Sequence, residues 1–325
     1  MIQTGLQLVD LRQVDLRQLE PLLAEEQEEW ASELEWDFAP NAEQIRRFVG
    51  PRTLPGVALL DGEEVAGYGY TILEEPKGLV GDIYLRRRWR EADSEVRLFK
   101  ILLDALTGTP GVRRVESQLM LVAPEITRTL ALDRFVRLFE RRLMVRDPLV
   151  WLQPVGAAAV DERFRFMEWE PSGRAALAQL IVRAYEGHVD GQINDQFLTE
   201  AGAVGFLRSL LENAGCGEFF RPGSLFAIDR RTEWLAGVVL TSFVASDTAH
   251  ITQLCVGPEA RGLGLGRELL RRAMPPMGEA GARKVTLSVT ASNEKASRLY
   301  ERAGFAEMRR FCAVVWDDTA RMSHS

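Results

Sequence analysis

Cysteine is scarce in this chain of 325 residues: Cys216, Cys255 and Cys312 are all there are, and they show no paired spacing. That excludes a disulfide framework and a zinc pattern and points to a reducing compartment, the cytoplasm. Long apolar runs are missing too. No window approaches the roughly eighteen apolar residues of a membrane span, and the start, Met1-Ile2-Gln3-Thr4-Gly5, lacks the basic segment and apolar core of an export signal. Positive charge is in deficit: 40 Lys and Arg stand against 47 Asp and Glu, a net of −7, which argues against nucleic acid as a partner. With 46% hydrophobic and 27% charged residues, the remainder is an ordinary globular composition, long enough for two domains.

Within that composition one stretch stands out. Arg261-Gly262-Leu263-Gly264-Leu265-Gly266-Arg267 follows an apolar run at residues 251–256 and precedes a helical pattern that begins at Glu268. Glycines let backbone N–H groups converge on one point without Cβ interference, and the dipole of the following helix adds to them, so the turn should hold a phosphate or pyrophosphate. A P-loop would need Gly-Lys-Ser/Thr, yet Gly266 is followed by Arg267-Glu268. A dinucleotide fingerprint counted from Gly262 and Gly264 would need its third glycine where Arg267 stands. What remains is Arg-x-x-Gly-x-Gly at Arg261, Gly264 and Gly266. About thirty residues on, after an apolar strand at 285–289, come Asn293, Ala296, Leu299, Tyr300, Gly304 and Phe305 in the pattern Asn-x-x-Ala-x-x-Leu-Tyr-x-x-x-Gly-Phe. Local structure alone gives Asn293 as an N-cap and Gly304 as a C′ residue.

The two motifs, in this order, resemble those of the GNAT acetyltransferase superfamily, whose members use acetyl-coenzyme A. The resemblance implies a pyrophosphate held at Arg261, Gly262, Leu263, Gly264, Leu265, Gly266 and Arg267. It implies a pantetheine arm along the backbone of a splayed strand at Leu254, Cys255 and Val256, and a cofactor contact at Asn293. Tyr300 falls where these enzymes carry the tyrosine that protonates the leaving thiolate, a task that suits a phenol of pKa about 10. A metal is not implied.

Repeats extend the reading to the whole chain. Residues 65–73 resemble residues 235–243, an offset of 170, and Ile83-Tyr84-Leu85 parallels Leu254-Cys255-Val256 at an offset of 171. The reading is α/β (α+β), two tandem GNAT-like domains, each a mixed, mostly antiparallel sheet flanked by helices. A degenerate domain is expected over residues 1–153 and a catalytic one over 160–325. The join falls near Val150-Trp151-Leu152-Gln153-Pro154 and the small residues Gly156-Ala157-Ala158-Ala159. This tandem layout and length are similar to the mycothiol synthase type of two-domain member. In the first copy the glycine loop is replaced by Arg86-Arg87-Arg88-Trp89-Arg90, either a solvated loop or an anion contact, and no tyrosine occurs between Tyr84 and Tyr185. Residues 134–142 read as a charged helix end. In the second copy Pro275-Pro276 should truncate or kink the helix after the glycines.

Attack on a thioester needs an unprotonated amine, so a base is required. Ser288 stands where alanine acetyltransferases of ribosomal proteins carry a glutamate. His250 lies eleven residues before Arg261, where histone-type members carry theirs, and a histidine titrates near 6.5. Strand alternation places His250 and Thr252 with Leu254 and Val256, and Cys255 on the other side as a buried thiol. His188, with Glu186, Asp190 and Asp195, falls where the family forms its acceptor cleft. The expected function is acetyl-CoA-dependent transfer to a primary amine, on a small molecule or a protein N-terminus or lysine. The alternative is a non-catalytic acyl-CoA-binding or protein-interaction tandem domain.

Overall fold

A computed structural model describes residues 5–74, 76–122, 135–150, 152–154, 156–212 and 216–318. Trp151 and Arg134, used above in reading the linker and a charged helix end, lie outside them. Contacts divide the chain into two units, residues 1–141 with 310–325, and residues 142–309.

The first unit runs β1 (Gln7–Asp10), α1 (Leu16–Leu34), α2 (Ala39–Val49), β2 (Gly56–Asp61), β3 (Glu64–Glu74), β4 (Lys77–Leu85), α3 (Ala92–Thr107) and β5 (Arg114–Leu119). β1 to β4 pair antiparallel in sequence order, and β4 pairs parallel with β5. Helix α1 starts at a capping box in which the Asp15 carboxylate and the Gln18 amide satisfy orphan N–H groups at the helix start. Phe99, Leu102 and Leu106 of α3 are buried with Val80, Ile83 and Val115 of the sheet.

β6 (Val136–Arg146) crosses the boundary between the units. The second unit continues with α4 (Ala157–Arg163), β7 (Phe164–Glu168), α5 (Arg174–Tyr185), α6 (Val189–Ile193), α7 (Glu200–Glu212), β8 (Glu218–Phe219), β9 (Leu225–Asp229), β10 (Leu235–Ala245), β11 (Thr248–Val256), α8 (Leu265–Glu279), β12 (Lys284–Thr290), α9 (Glu294–Arg302) and β13 (Ala306–Asp317). β7, β9, β10 and β11 pair antiparallel in that order, β11 pairs parallel with β12, and β6 neighbours β12. One face packs on α8 and α9 through Val239, Ile251, Leu269 and Val285; the other packs on α5 and α7 through Leu180, Leu207, Val238 and Leu240.

Four sequence expectations change here. Residues 312–317 of β13 pair with β5, so the tail of the 160–325 run is built into the first unit, and the division falls inside β6 rather than at the linker. Residues 136–142, expected in a helix end, are strand; acidic partners neutralise their charge, Arg142 meeting Glu301 at 3.0 Å and Glu307 at 2.6 Å. The small residues expected in a linker form α4, which seats Val160 in the core. Pro275-Pro276 do not truncate α8, which continues to Glu279. The prolines lack N–H donors, but the Pro276 carbonyl still accepts from the Ala280 N–H at 3.0 Å and closes the last turn.

Candidate active site

β11 and β12 begin as neighbours and then part. Their parallel pairing covers only residues 248–251 against 284–287, although β11 runs on to Val256 and β12 to Thr290. Beyond Ile251 the β12-side edge of β11 has no strand partner among the described residues. The Gly257 N–H donates to Ala236 O at 2.8 Å, toward β10. By alternation, the N–H and C=O of Cys255 point the same way, and those of Leu254 and Val256 point to the parted edge. Of the backbone set expected for a pantetheine arm, Leu254 and Val256 face the parted edge, whereas the expectation for Cys255 is corrected: its backbone groups are turned to β10.

A β-bulge precedes this stretch. Leu240 opposes Gln253 and Thr241 opposes Ile251, which leaves Thr252 as an extra residue, its hydroxyl donating to Leu240 O at 3.1 Å. One extra residue reverses which face later side chains take. Ala249 and Ile251 pack toward α8, and so do Leu254 and Val256; Cys255 packs toward α5 and α7. The expectation that His250 shares a side with Leu254 and Val256 is therefore corrected: it shares the α5/α7 face with Gln253 and Cys255. Burial pushes the Cys255 thiol up to about 12, which keeps it protonated.

His250 is buried, 8% exposed, and its Nδ1 lies 2.9 Å from Thr286 Oγ1 across the parallel pair. The Thr286 hydroxyl is also placed to donate to Ala249 O at 3.3 Å. With its one proton on that carbonyl, Thr286 accepts from Nδ1–H, and Nε2 becomes the basic nitrogen.

The glycine loop has the expected shape. Gly262 and Gly264 take φ of +77° and +83°, the left-handed region that glycine adopts without strain, and α8 begins at Leu265. The backbone N–H groups of residues 262–267 have no acceptor among the described residues, and the first internal bond runs from Glu268 N to Gly264 O. Six consecutive donors at a helix start form an anion cradle. A Cβ at Gly266 would lie 3.4 Å from Leu299 and 3.6 Å from Val256, ordinary contacts, so the protein's own packing does not demand glycine there. The guanidiniums are used otherwise: Arg261 donates to Ala184 O at 2.6 Å and Val256 O at 3.3 Å, and Arg267 to Gln153 O at 3.2 Å. They brace the loop.

Asn293 caps α9 by accepting from Ala296 N at 3.2 Å, and its Nδ2 lies 3.1 Å from His188 Nε2. The Asp190 N–H reaches His188 Nδ1 at 3.1 Å, and Thr290 Oγ1 donates to the Asp190 carboxylate. The structure thus brings His188 and Asp190 to the start of α9. Glu186 is exposed. Tyr300 is buried in the α8-side core and meets Phe305 edge-on at 6.0 Å.

Sequence reasoning missed Tyr185 and Gln253 as a pair. Gln253 Nε2 donates to the Tyr185 hydroxyl at 3.1 Å, and the ring stacks on Phe197 at 4.5 Å and meets His188 edge-on at 5.2 Å. Burial, with the Asp190 carboxylate near it, raises this phenol well above its ordinary range. Only the bulge brings Gln253 to this face, and no sequence pattern announces it.

Among the described residues, no group of three or more His, Cys, Asp or Glu could hold a metal ion, and no helix is long and apolar enough to cross a membrane.

A strand that parts from its parallel neighbour, followed by a glycine-lined helix start, defines a class. Residues 192–305 match the family described as Acetyltransferase (GNAT) family. The chain is 26% identical over 265 residues to a mycothiol acetyltransferase of Thermobispora bispora, covering 80% of this chain and 82% of that one. Among solved structures, a GCN5-related N-acetyltransferase from Sphaerobacter thermophilus superposes with a TM-score of 0.65 at 17% identity, covering 98% of this chain and 97% of that chain. A tandem GNAT protein from the clavulanic acid biosynthesis pathway gives 0.56 at 16%, covering 97% and 99%; these two likenesses carry the fold alone. Residues 192–305 thus resemble a GNAT acetyltransferase domain, and the chain as a whole has the fold of the tandem GNAT structure.

Proposed function

We propose that this chain is an acetyl-CoA-dependent N-acetyltransferase for a primary amine and that its active site lies in the second unit. The observation that carries the reading is the run of six unpartnered amides at residues 262–267, beside the parted edge of β11. Those amides fit a diphosphate, and the backbone groups of Leu254 and Val256 fit an amide-containing arm. Acetyl-CoA supplies an activated acetyl thioester; the chain's own residues bind it, orient it and move protons.

Leu254 or Val256 offers a backbone N–H where the thioester oxygen gains charge. His250, held by Thr286 with Nε2 basic, takes the proton of the attacking amine directly or through water. Tyr300 holds a phenolic proton for the departing sulfur. The acceptor belongs on the α5/α7 face, near Asp190 and His188, where a carboxylate favours a cationic amine. A small amine and a protein N-terminus or lysine both fit that chemistry. A soluble, cytoplasmic setting accords with three free thiols and no membrane-spanning helix among the described residues.

Thiol release from acetyl-CoA across a panel of amines, with Tyr300→Phe as the comparison, tests the reading. The variant should lose about a hundredfold in kcat while its calorimetric affinity for acetyl-CoA holds. Equal rates would remove Tyr300 from its role. Acetyl-CoA binding without transfer to any amine would favour the non-catalytic ligand-binding alternative.

A further inference from the structure

The Tyr185 hydroxyl is half committed. It accepts from Gln253 Nε2 at 3.1 Å, but its own proton has no acceptor among the described residues. The ring cannot swing to find one, because Phe197 stacks on one face and His188 meets it edge-on. Its surroundings come from four elements: Gln253 and Cys255 of β11, Asp190 of α6, Tyr300 of α9 and Phe197 after α6. Burial keeps the phenol protonated across the working pH range, so it stays a donor. A fixed donor at a partly buried site, with its lone pair already occupied, is complementary to an oxygen brought by another molecule. The thioester side has its own donors in the backbone of Leu254 and Val256 on the parted edge of β11. Tyr185 lies on the α5/α7 face, where the Proposed function puts the amine.

We infer that Tyr185, oriented by Gln253, is a specificity-determining residue that donates a hydrogen bond to a hydroxyl or carbonyl oxygen next to the acceptor's amine. The preferred acceptors are then oxygen-bearing amines, such as amino alcohols or α-amino amides, over plain alkylamines. A site built to bond an oxygen rejects the analogue that lacks it, because the donor is then left without a partner.

The inference rests on the N-acetyltransferase reading, and the experiment separates the two. Transfer is measured for trans-2-aminocyclohexanol against cyclohexylamine, and for alaninamide against sec-butylamine, with wild type, Tyr185→Phe and Gln253→Glu. The wild type should favour the oxygenated member of each pair. Tyr185→Phe should raise KM for that member by about tenfold and leave both kcat and the alkylamine KM in place. Comparing each variant with wild type cancels the amines' different basicities. Gln253→Glu keeps every ring contact of Tyr185 but turns its proton onto the new carboxylate, so it should show the same loss; this separates donation from a packing role. Calorimetry with acetyl-CoA should not distinguish the three proteins. An unchanged preference in both variants, or no preference in the wild type, overturns the inference alone. Absence of transfer to any amine overturns the enzyme reading and this inference with it.

Discussion

The two units share a frame and differ in one loop. In the first, β4 and β5 pair in parallel over residues 77–79 and 114–116 and then part; in the second, β11 and β12 do so over 248–251 and 284–287. Arg90 donates to Leu85 O at 2.8 Å, as its counterpart Arg261 donates to Val256 O at 3.3 Å. At the offset of 171, Gly262, Gly264 and Gly266 answer to Glu91, Asp93 and Glu95. Helix α3 starts at Ala92, about two residues earlier by the same offset than α8. Acidic residues thus stand in the sequence where the other unit has glycines. The arginine run that precedes them is exposed at Arg87 and Arg88 and is paired with acids of its own unit. Arg86 meets Glu25 at 2.9 Å and Glu64 at 2.5 Å, Arg87 meets Glu29 at 3.3 Å, and Arg90 also pairs with Glu29. A strand frame survives on burial and pairing, whereas a ligand cradle depends on three particular residues.

Transplanting the acidic residues is the harshest way to break this comparison. Gly264→Asp with Gly266→Glu should weaken acetyl-CoA binding by at least about a hundredfold in calorimetry, with the far-ultraviolet circular dichroism unchanged. Retained affinity would mean that the loop does not separate the units.

The matched arginines give a smaller contrast. Glu29 is almost fully buried; burial alone would raise its carboxyl, and the Arg90 guanidinium instead holds it below the usual range. Arg90→Ala leaves that buried carboxylate only Arg87 and the Tyr84 hydroxyl and should cost about 2 kcal/mol in denaturant unfolding. Arg261→Ala loses bonds to two carbonyls and should cost about 1 kcal/mol.

The mildest test uses pH. Glu26 and Asp82 are buried against each other in the first unit, with the Tyr68 hydroxyl donating to Glu26 at 2.9 Å. Burial raises both carboxyls, Asp82 to about 7. With folded pKa values above the unfolded ones near 4, the folded state holds more protons, so this pair's contribution falls as pH rises from about 4 through 7, where Asp82 titrates, and further as Glu26 loses its proton. Glu26→Gln keeps an acceptor for Tyr68 and removes one titration. Its stability relative to wild type should rise between pH 5 and pH 8 in thermal melts; a constant difference would show that the pair does not titrate there.

Much of the fold, and the local geometry of the glycine loop and of the Asn293 cap, was legible from residue order. The 171-residue offset, the glycines and the Asn293-to-Phe305 run each report local backbone needs, and local needs are written locally. The bulge at Thr252 was not legible, because no glycine or proline marks it and only the register against β10 reveals it. With it went the face of His250 and the meeting of Gln253 with Tyr185. β6 escaped because its arginines suggest a solvent-facing helix, while the acids that neutralise Arg142 lie more than 150 residues away.

The last strand has a practical consequence for anyone who would dissect the molecule. A scissile site engineered at residue 153 would yield an amino-terminal fragment whose β5 lacks residues 312–317, an exposed hydrogen-bonding ribbon prone to recruit stray chains. The carboxy-terminal fragment would carry that orphaned ribbon's complement as a tail and would lose β6 from beside β12. Co-expression of both pieces, rather than either one in isolation, is the arrangement that lets such a chain reassemble.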